Sequence, residues 1–401
     1  MSGNESFTGE RTMTPGLKSL ILGAACAFLI SASVSARTLE VGPEKLYEAP
    51  SEAISAAEDG DTIRIDAAVY KNDWAKIRAD NLTIEAVGGE AVLASFGMIP
   101  NRKAIWVVKG NNIRIENVEF RGARVRDRNG AGIRQEGNGL VLRRCSFFNN
   151  ENGILGGSGD CVIDIQHCEF GYNSLHASPG THNLYIGHCR KLIFKYNYSH
   201  HAKVCHLLKS RAKENIIMCN RLSDEEYGSS SYVINLPNGG RAVIAGNLIH
   251  QGPRCQNRTV VAYGEEGTQQ EGNALWFAHN TVINDGERGR PTFISINKLP
   301  EGFKPVLANN IFVGKGQVTN WSPAVLRGNF TGAVADAGFV NRNRWNLRLR
   351  EDSPCVDAGV SIQNIVGGMD IALTRQYLHP MWLELRVSDD KPDIGAYEYS
   401  E

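Results

Sequence analysis

Apolar residues in this chain fall into short alternating runs, and between Val118 and Phe312 the runs recur as one unit repeated eight times. Each unit is an apolar strand leading to Val118, Cys145, Cys168, Asn197, Asn220, Asn247, Asn280 or Asn310. A usually apolar residue follows two places on: Phe120, Phe147, Phe170, Ser199, Leu222, Ile249, Val282 and Phe312. The intervals of 23 to 33 residues show no helical periodicity and are too short and irregular for propeller blades. They fit single coils of a parallel-strand solenoid, in which one side chain stacks on its equivalent in the next coil. The predicted fold is therefore all-β, a right-handed parallel β-helix.

Each coil shows two readable strands. One precedes the marked residue, as in Leu140-Val141-Leu142 or Leu192-Ile193-Phe194. The other lies about 12 residues upstream, as in Asn183 to Ile186, His206 to Lys209 and Tyr232 to Asn235, all short enough for coils with corners. Asparagine at the corner suits a left-handed turn, and its amide can pair with amides above and below. Residues 39–70 read as an entry cap in which Ser51 opens a short amphipathic helix. Coils are expected over about 80–316, and 320–401 is a turn-rich closing segment. All of 37–401 is expected to form one domain, since a solenoid grows in one dimension.

Residues 1–36 read as an export signal: Lys18, then the apolar stretch Leu20 to Ala32, then small residues before Arg37. A run of that length is short for a bilayer span, so a periplasmic or secreted protein without membrane insertion is expected. In that setting the eight cysteines beyond residue 36 suggest disulfides, although Cys145 and Cys168 on successive rungs read better as small buried groups. Formal net charge is zero, which argues against a nucleic-acid binder.

Chemistry-bearing residues gather where the coils carry long insertions, between Gly171 and Arg258. Seven of the ten histidines lie there, among them His182, His188, His200, His201, His206 and His250. Counting back from the ladder asparagines puts Tyr185, Leu208 and Asn235 at one level, with Lys209 one step on and a corner expected between Leu208 and Lys209. Equivalent positions on adjacent coils lie about 4.8 Å apart, so histidine, tyrosine, lysine and arginine can share a groove. Such a set suits proton removal beside a carboxylate: one group neutralises the carboxylate, a base takes the uronate C5 proton, and an acid protonates the leaving oxygen. A lysine base must be held unprotonated, which neighbouring cations such as Arg211 and Lys203 favour. The catalytic set is thus Lys209, Arg211, His182, Tyr185 and His206, with Arg134, Asn183, His200, His201, Lys203, Asn235, Asn238 and His250 as substrate-binding residues. The sequence has no CxxC, His-x-His or HExxH spacing, so no metal is expected; the acidic run Asp224-Glu225-Glu226 has calcium-type ligands but reads as an exposed loop. A hydrolase would need clustered carboxylates, and Glu136 and Asp164 are too isolated.

The stretch His206-Leu-Leu-Lys209-Ser210 onward to Asn220 resembles the segment of family 6 polysaccharide lyases (alginate lyases and chondroitinase B) that carries their Lys-Ser pair. The resemblance implies that Lys209 is the base. That family's acid is an arginine on the next coil, where this chain reads Tyr232-Val-Ile-Asn235-Leu-Pro-Asn238, so Arg211 or a histidine must substitute. Its calcium-binding glutamates are replaced by His201-Ala-Lys203-Val-Cys-His206. More broadly, residues 40–400 resemble an exported pectate-lyase-like β-helix. The reading is a monomeric lyase acting on an acidic polysaccharide by β-elimination, with a uronate C5-epimerase or a non-catalytic exopolysaccharide-binding or export protein as alternatives.

Overall fold

The computed structural model describes residues 36–174, 180–268, 272–287, 289–362, 373–387 and 391–400. The export-signal reading of 1–36 therefore lies almost wholly outside the described residues. Successive coils contribute to three parallel sheets. Sheet I, of 12 strands, runs from Thr38–Val41 to Val325–Arg327 and holds the strands that lead into the ladder. Sheet II, of 11, runs from Val69–Lys71 to Phe330–Gly332 and begins at or just after each ladder residue. Sheet III, of 10, runs from Ala75–Ile77 to Gln317–Thr319 and carries Tyr185, Lys209 and Asn235. The chain is a right-handed parallel β-helix, as its periodicity predicts. No helix among the described residues is long and apolar enough to cross a membrane.

Three strands per coil exceed the two that alternation reveals. Sheet II strands such as Ser146–Phe148 and Glu169–Gly171 have three residues, too few to display a period. Their middle residues still point inward, and Phe120, Phe147 and Phe170 stack with centroids 5.1 and 4.8 Å apart and nearly parallel planes. Such stacking adds roughly 0.5–1.5 kcal/mol per pair beyond area burial. Parallel pairing also starts earlier and ends later than 80–316: Thr38–Val41 pairs with Thr62 to Ile65, and Ile311–Gly314 pairs with Phe330–Gly332. The helix Pro50–Ala56 begins one residue before Ser51, and the Glu52 carboxylate accepts the N–H groups of Glu48 and Ala49 at its entrance.

The asparagines form a continuous buried ladder. Asn197 Nδ2 donates to Asn220 Oδ1 at 3.1 Å, Asn220 to Asn247 at 2.9 Å, Asn247 to Asn280 at 2.9 Å, Asn280 to Asn310 at 3.0 Å, and Asn310 to Asn329 at 2.9 Å. Each Oδ1 also accepts the backbone N–H of the preceding rung, as Asn220 Oδ1 does from Asn197 N at 2.8 Å. Cys168 Sγ takes that acceptor role for Cys145 N at 3.4 Å. The left-handed residue is the one before the rung, not the rung itself: Tyr196, Cys219, His279 and Asn309 have φ of 63°, 52°, 51° and 54°, and Gly246 has 67°. That corner turns the chain from sheet I into sheet II and frees the following amide to point inward.

Cys145, Cys161, Cys168, Cys189, Cys219 and Cys355 are buried free thiols, so the disulfides expected from the cysteine number are not formed among them. Burial pushes Cys189 and Cys219 up to about 12 and Cys355 to about 11, leaving them protonated and inert. The closing segment lies along the outer face of sheet II. Phe339, Leu347, Leu349, Tyr377, Ile394 and Tyr397 pack with Leu248, Ile283, Ile311 and Val313 into a second core.

Asn247→Ala should remove the acceptor for both Asn220 N–H and Asn220 Nδ2, costing about 2–3 kcal/mol by the usual penalty for stranded buried donors. Urea unfolding reads this out. Asn247→Cys should cost less, because sulfur already serves as a rung at Cys168.

Candidate functional site

The site is built on the middle strands of sheet III, where register decides which side chains meet. Tyr185 pairs with Lys209, and Lys209 with Asn235, so these three form one outward column, continued upstream by Leu155 and Arg134. The expected level of Leu208 is corrected by one residue: Leu208 pairs with Ile234 and is buried in the core. The bend falls before Leu208, where Leu207 and Leu208 are both buried, not between Leu208 and Lys209. From Leu208 on, simple alternation sends Lys209 outward and Ser210 inward.

Arg211 ties the column together. Its Nε donates to the Tyr185 hydroxyl at 2.7 Å, its Nη1 to Asn238 Oδ1 at 2.5 Å, and its Nη1 lies 2.7 Å from Glu266 Oε2. Lys209 Nζ stands 3.4 Å from Glu266 Oε1 and 5.2 Å from the Tyr185 ring centroid, a cation–π contact. The hydrogen bond from Arg211, with the charge of Lys209, holds the Glu266 carboxyl below its ordinary range. Lysine, arginine and tyrosine thus converge as the residue types require. Glu266 was not legible: it reaches Lys209 from 57 residues away, in the loop after Thr259–Tyr263. The signal that could have found it is the register, since Tyr263 pairs with Leu236 and puts the following loop beside Asn238.

His182 and His206 sit behind this column as structural rungs. Asn152 Oδ1 accepts from His182 N at 2.8 Å, His182 Nδ1 from His206 N at 3.3 Å, and His206 Nδ1 from Tyr232 N at 3.2 Å. The two imidazoles stack at 4.9 Å, and His182 meets the Tyr185 ring edge-on at 5.3 Å. With Nδ1 accepting, His206 carries its proton on Nε2, which faces the Asn235 amide at 3.1 Å. The amide orientation that suits it turns Oδ1 toward the ring, which also gives that otherwise unpartnered oxygen a donor. Burial, then the charge of Lys209, pulls His206 down to about 3; burial and the neighbouring cations hold His182 well below its usual value. Neither imidazole is protonated at neutral pH, so the geometry supports both as neutral supports and gives neither the role of acid.

The remaining expected residues separate. Asn183 is buried in a second amide ladder, accepting from Asn173 Nδ2 at 3.1 Å and donating to His200 O at 2.8 Å, so it cannot face a substrate. His200, His201 and His250 belong to sheet II or its edge, not to the Lys209 column. His200 is buried against Glu169 at 3.0 Å and His201 Nδ1 at 2.6 Å. His250 links Ser223 Oγ and Asp285 Oδ2, each at 3.0 Å, under the ring of Trp345. That order of groups is the one a hydrolytic serine would use, but the adjoining cavity holds only about 10 Å³ and admits no substrate. Lys203 is exposed in the turn between sheets II and III, bridging to Ser229 through its backbone.

Of the acidic run, Glu226 is exposed as expected, but Asp224 and Glu225 are buried and engaged: Asp224 accepts from Ser230 Oγ at 2.8 Å, and Glu225 holds Tyr198 OH at 2.8 Å and Arg221 at 2.6 Å. Among the described residues no cluster of three or more His, Cys, Asp or Glu is arranged to hold a metal. Glu136 pairs with Lys103 and Asp164 with Arg143, so neither supplies a hydrolytic pair.

Acid should destabilise the protein through His206. Above about pH 6.5 the site is neutral in both folded and unfolded chains; below it the unfolded chain takes a proton that the fold does not accept until about pH 3. Stability therefore falls with acid across that window, by up to about 1.4 kcal/mol per pH unit for this side chain. Urea midpoints measured from pH 7 to 4 should decline. His206→Asn, which keeps an acceptor as Asn152 does, should flatten the decline by one imidazole's share.

No protein-family model matches this sequence, and no curated protein matches it. Among solved structures it is similar to pectate lyase Pel9A, with 14% identity, a TM-score of 0.61, and coverage of 92% of this chain and 98% of that one. An alginate lyase from Paenibacillus sp. str. FPU-7 aligns at 15% identity with a TM-score of 0.47, covering 74% of this chain and 98% of that one. A family 6 alginate lyase, AlyGC, aligns at 15% with a TM-score of 0.36, covering 73% and 51%. The likeness to Pel9A concerns the fold alone, the parallel β-helix.

Proposed function

We propose that this protein is an exported, monomeric polysaccharide lyase that cleaves an acidic polysaccharide by β-elimination. The observation that carries the reading is the convergence of Tyr185 and Lys209, paired on adjacent strands of sheet III, with Arg211 just past the end of the strand Leu208–Ser210. In this reading Arg211 neutralises the uronate carboxylate, which makes the C5 proton easier to remove. Lys209, acting as the neutral amine after giving up its own proton, takes the C5 proton; the C5–H electrons form the C4–C5 double bond as the C4–O bond breaks. Tyr185 gives a proton to the departing oxygen. Its hydroxyl accepts from Arg211 Nε, so its own O–H remains to donate, and the guanidinium stays beside the oxygen as negative charge develops. Asn235 and Asn238 line the same strand ends, and Arg134 lies two rungs upstream to meet a neighbouring sugar. The fold shared with a pectate lyase supports the substrate class. No cofactor enters the proposal: the carboxylate near Lys209 is Glu266, engaged by two cations, a donor set suited to an anion more than to calcium.

Incubation with pectate, alginate, glucuronan and glycosaminoglycans, followed at about 235 nm where an elimination product absorbs, tests the proposal. Rising absorbance is expected with at least one polymer. Lys209→Ala should lower the rate by roughly a thousandfold and Tyr185→Phe by a hundredfold or more, within the range set by losing a positioned base or acid. Altered sugar proton resonances without chain cleavage would instead indicate epimerisation, and binding without either change would leave a glycan-binding protein.

A further inference from the structure

Glu266 occupies the place where the reaction needs a substrate carboxylate. Its two oxygens divide between two cations, Oε2 at 2.7 Å from Arg211 and Oε1 at 3.4 Å from Lys209. The cations are deep in the site, with side chains 14% and 13% exposed, while Glu266 is 46% exposed and lies over them. Arg211 does not depend on Glu266 for its orientation, because Tyr185 and Asn238 hold its Nε and Nη1. The backbone beneath Glu266 is also fixed: Glu266 N donates to Pro237 O at 2.9 Å, Gly267 N to Gly264 O at 3.0 Å, and Asn238 Nδ2 to Gly267 O at 3.2 Å. The glutamate can therefore leave by side-chain rotation alone, while loop and guanidinium stay in place.

Once Glu266 swings out, Lys209 and Arg211 lose the carboxylate they share. A neutral sugar cannot restore the balance; a carboxylate-bearing sugar can. We propose that Glu266 is a built-in stand-in for the substrate's carboxylate, filling the Lys209–Arg211 subsite of the empty protein and yielding it to a uronate. The inference rests on the lyase reading of this site and adds to it a residue that sets preference for acidic over neutral glycans.

The test is calorimetric titration, in the cold to suppress turnover, of the unmodified protein, Glu266→Gln and Glu266→Ala. The probes are oligogalacturonate and oligoalginate, together with the same oligomers after reduction of their carboxyl groups. Both variants should bind at least one acidic oligomer roughly five- to tenfold more tightly, the scale of a partly exposed ion pair no longer in competition, with no gain for the reduced oligomers. Unchanged or weaker binding of the acidic oligomers, an equal gain for the reduced ones, or no binding of any uronate by all three proteins would overturn it. Equal urea midpoints establish that the variants are folded, and the two replacements guard against an effect peculiar to one side chain. Loss of the lyase reading alone would look different: tighter acidic binding with no rise in absorbance at about 235 nm.

Discussion

Register is the constraint on which this molecule depends, and the buried amide ladder enforces it. A parallel coil can slide along its neighbour only by breaking the match between each asparagine and the rung above, which would strand a backbone donor and a side-chain donor in a dry interior. The phenylalanine stack beside the ladder is tolerant of small displacements; the amides are not. Hydrophobic burial thus supplies cohesion, while directional hydrogen bonds select one alignment of coils.

That alignment reaches the surface of sheet III. Because Leu208 and Ile234 are matched in the core, Lys209 and Asn235 are matched outside it, and Tyr185 completes the row. Behind the row, His182 and His206 relay backbone donors to imidazole acceptors much as the asparagines do. Their neutrality lets two cationic side chains approach without a third and fourth positive charge beneath them. On sheet II histidines face carboxylates instead: His200 meets Glu169, and His250 meets Asp285 beneath Trp345 of the closing segment.

Much of the fold was legible in the sequence because rungs such as Asn220 and Asn247 repeat at coil spacing and their partners two residues on are core side chains. The three-residue sheet II strands were not legible as strands, nor was the role of the closing segment, whose Tyr377 and Tyr397 find their core only through long-range packing. In the site, Lys209, Arg211 and Tyr185 were identifiable from residue type and approximate level. His200, His201 and His250 were grouped with them on proximity in sequence, but a corner between sheets separates neighbours that are only a few residues apart. Asn183 was read as a substrate contact because an asparagine on a strand looks polar and available, whereas here its amide is consumed by Asn173 and His200. Glu266 belongs to a later coil, and no local pattern around Lys209 points to it.

The amide ladder is also polar in direction: each side chain from Asn197 to Asn310 gives a proton forward to the next rung, and each from Asn220 to Asn329 receives one from behind. Any interior turn of the spiral therefore presents the same pair of faces as its neighbours. Excising or duplicating one complete turn would rejoin a giver to a taker with nothing left over, whereas a partial insertion inside a turn would have to bulge outward as a loop. Growth by whole turns, with novelty confined to excursions from the corners, is the kind of change this architecture absorbs most readily.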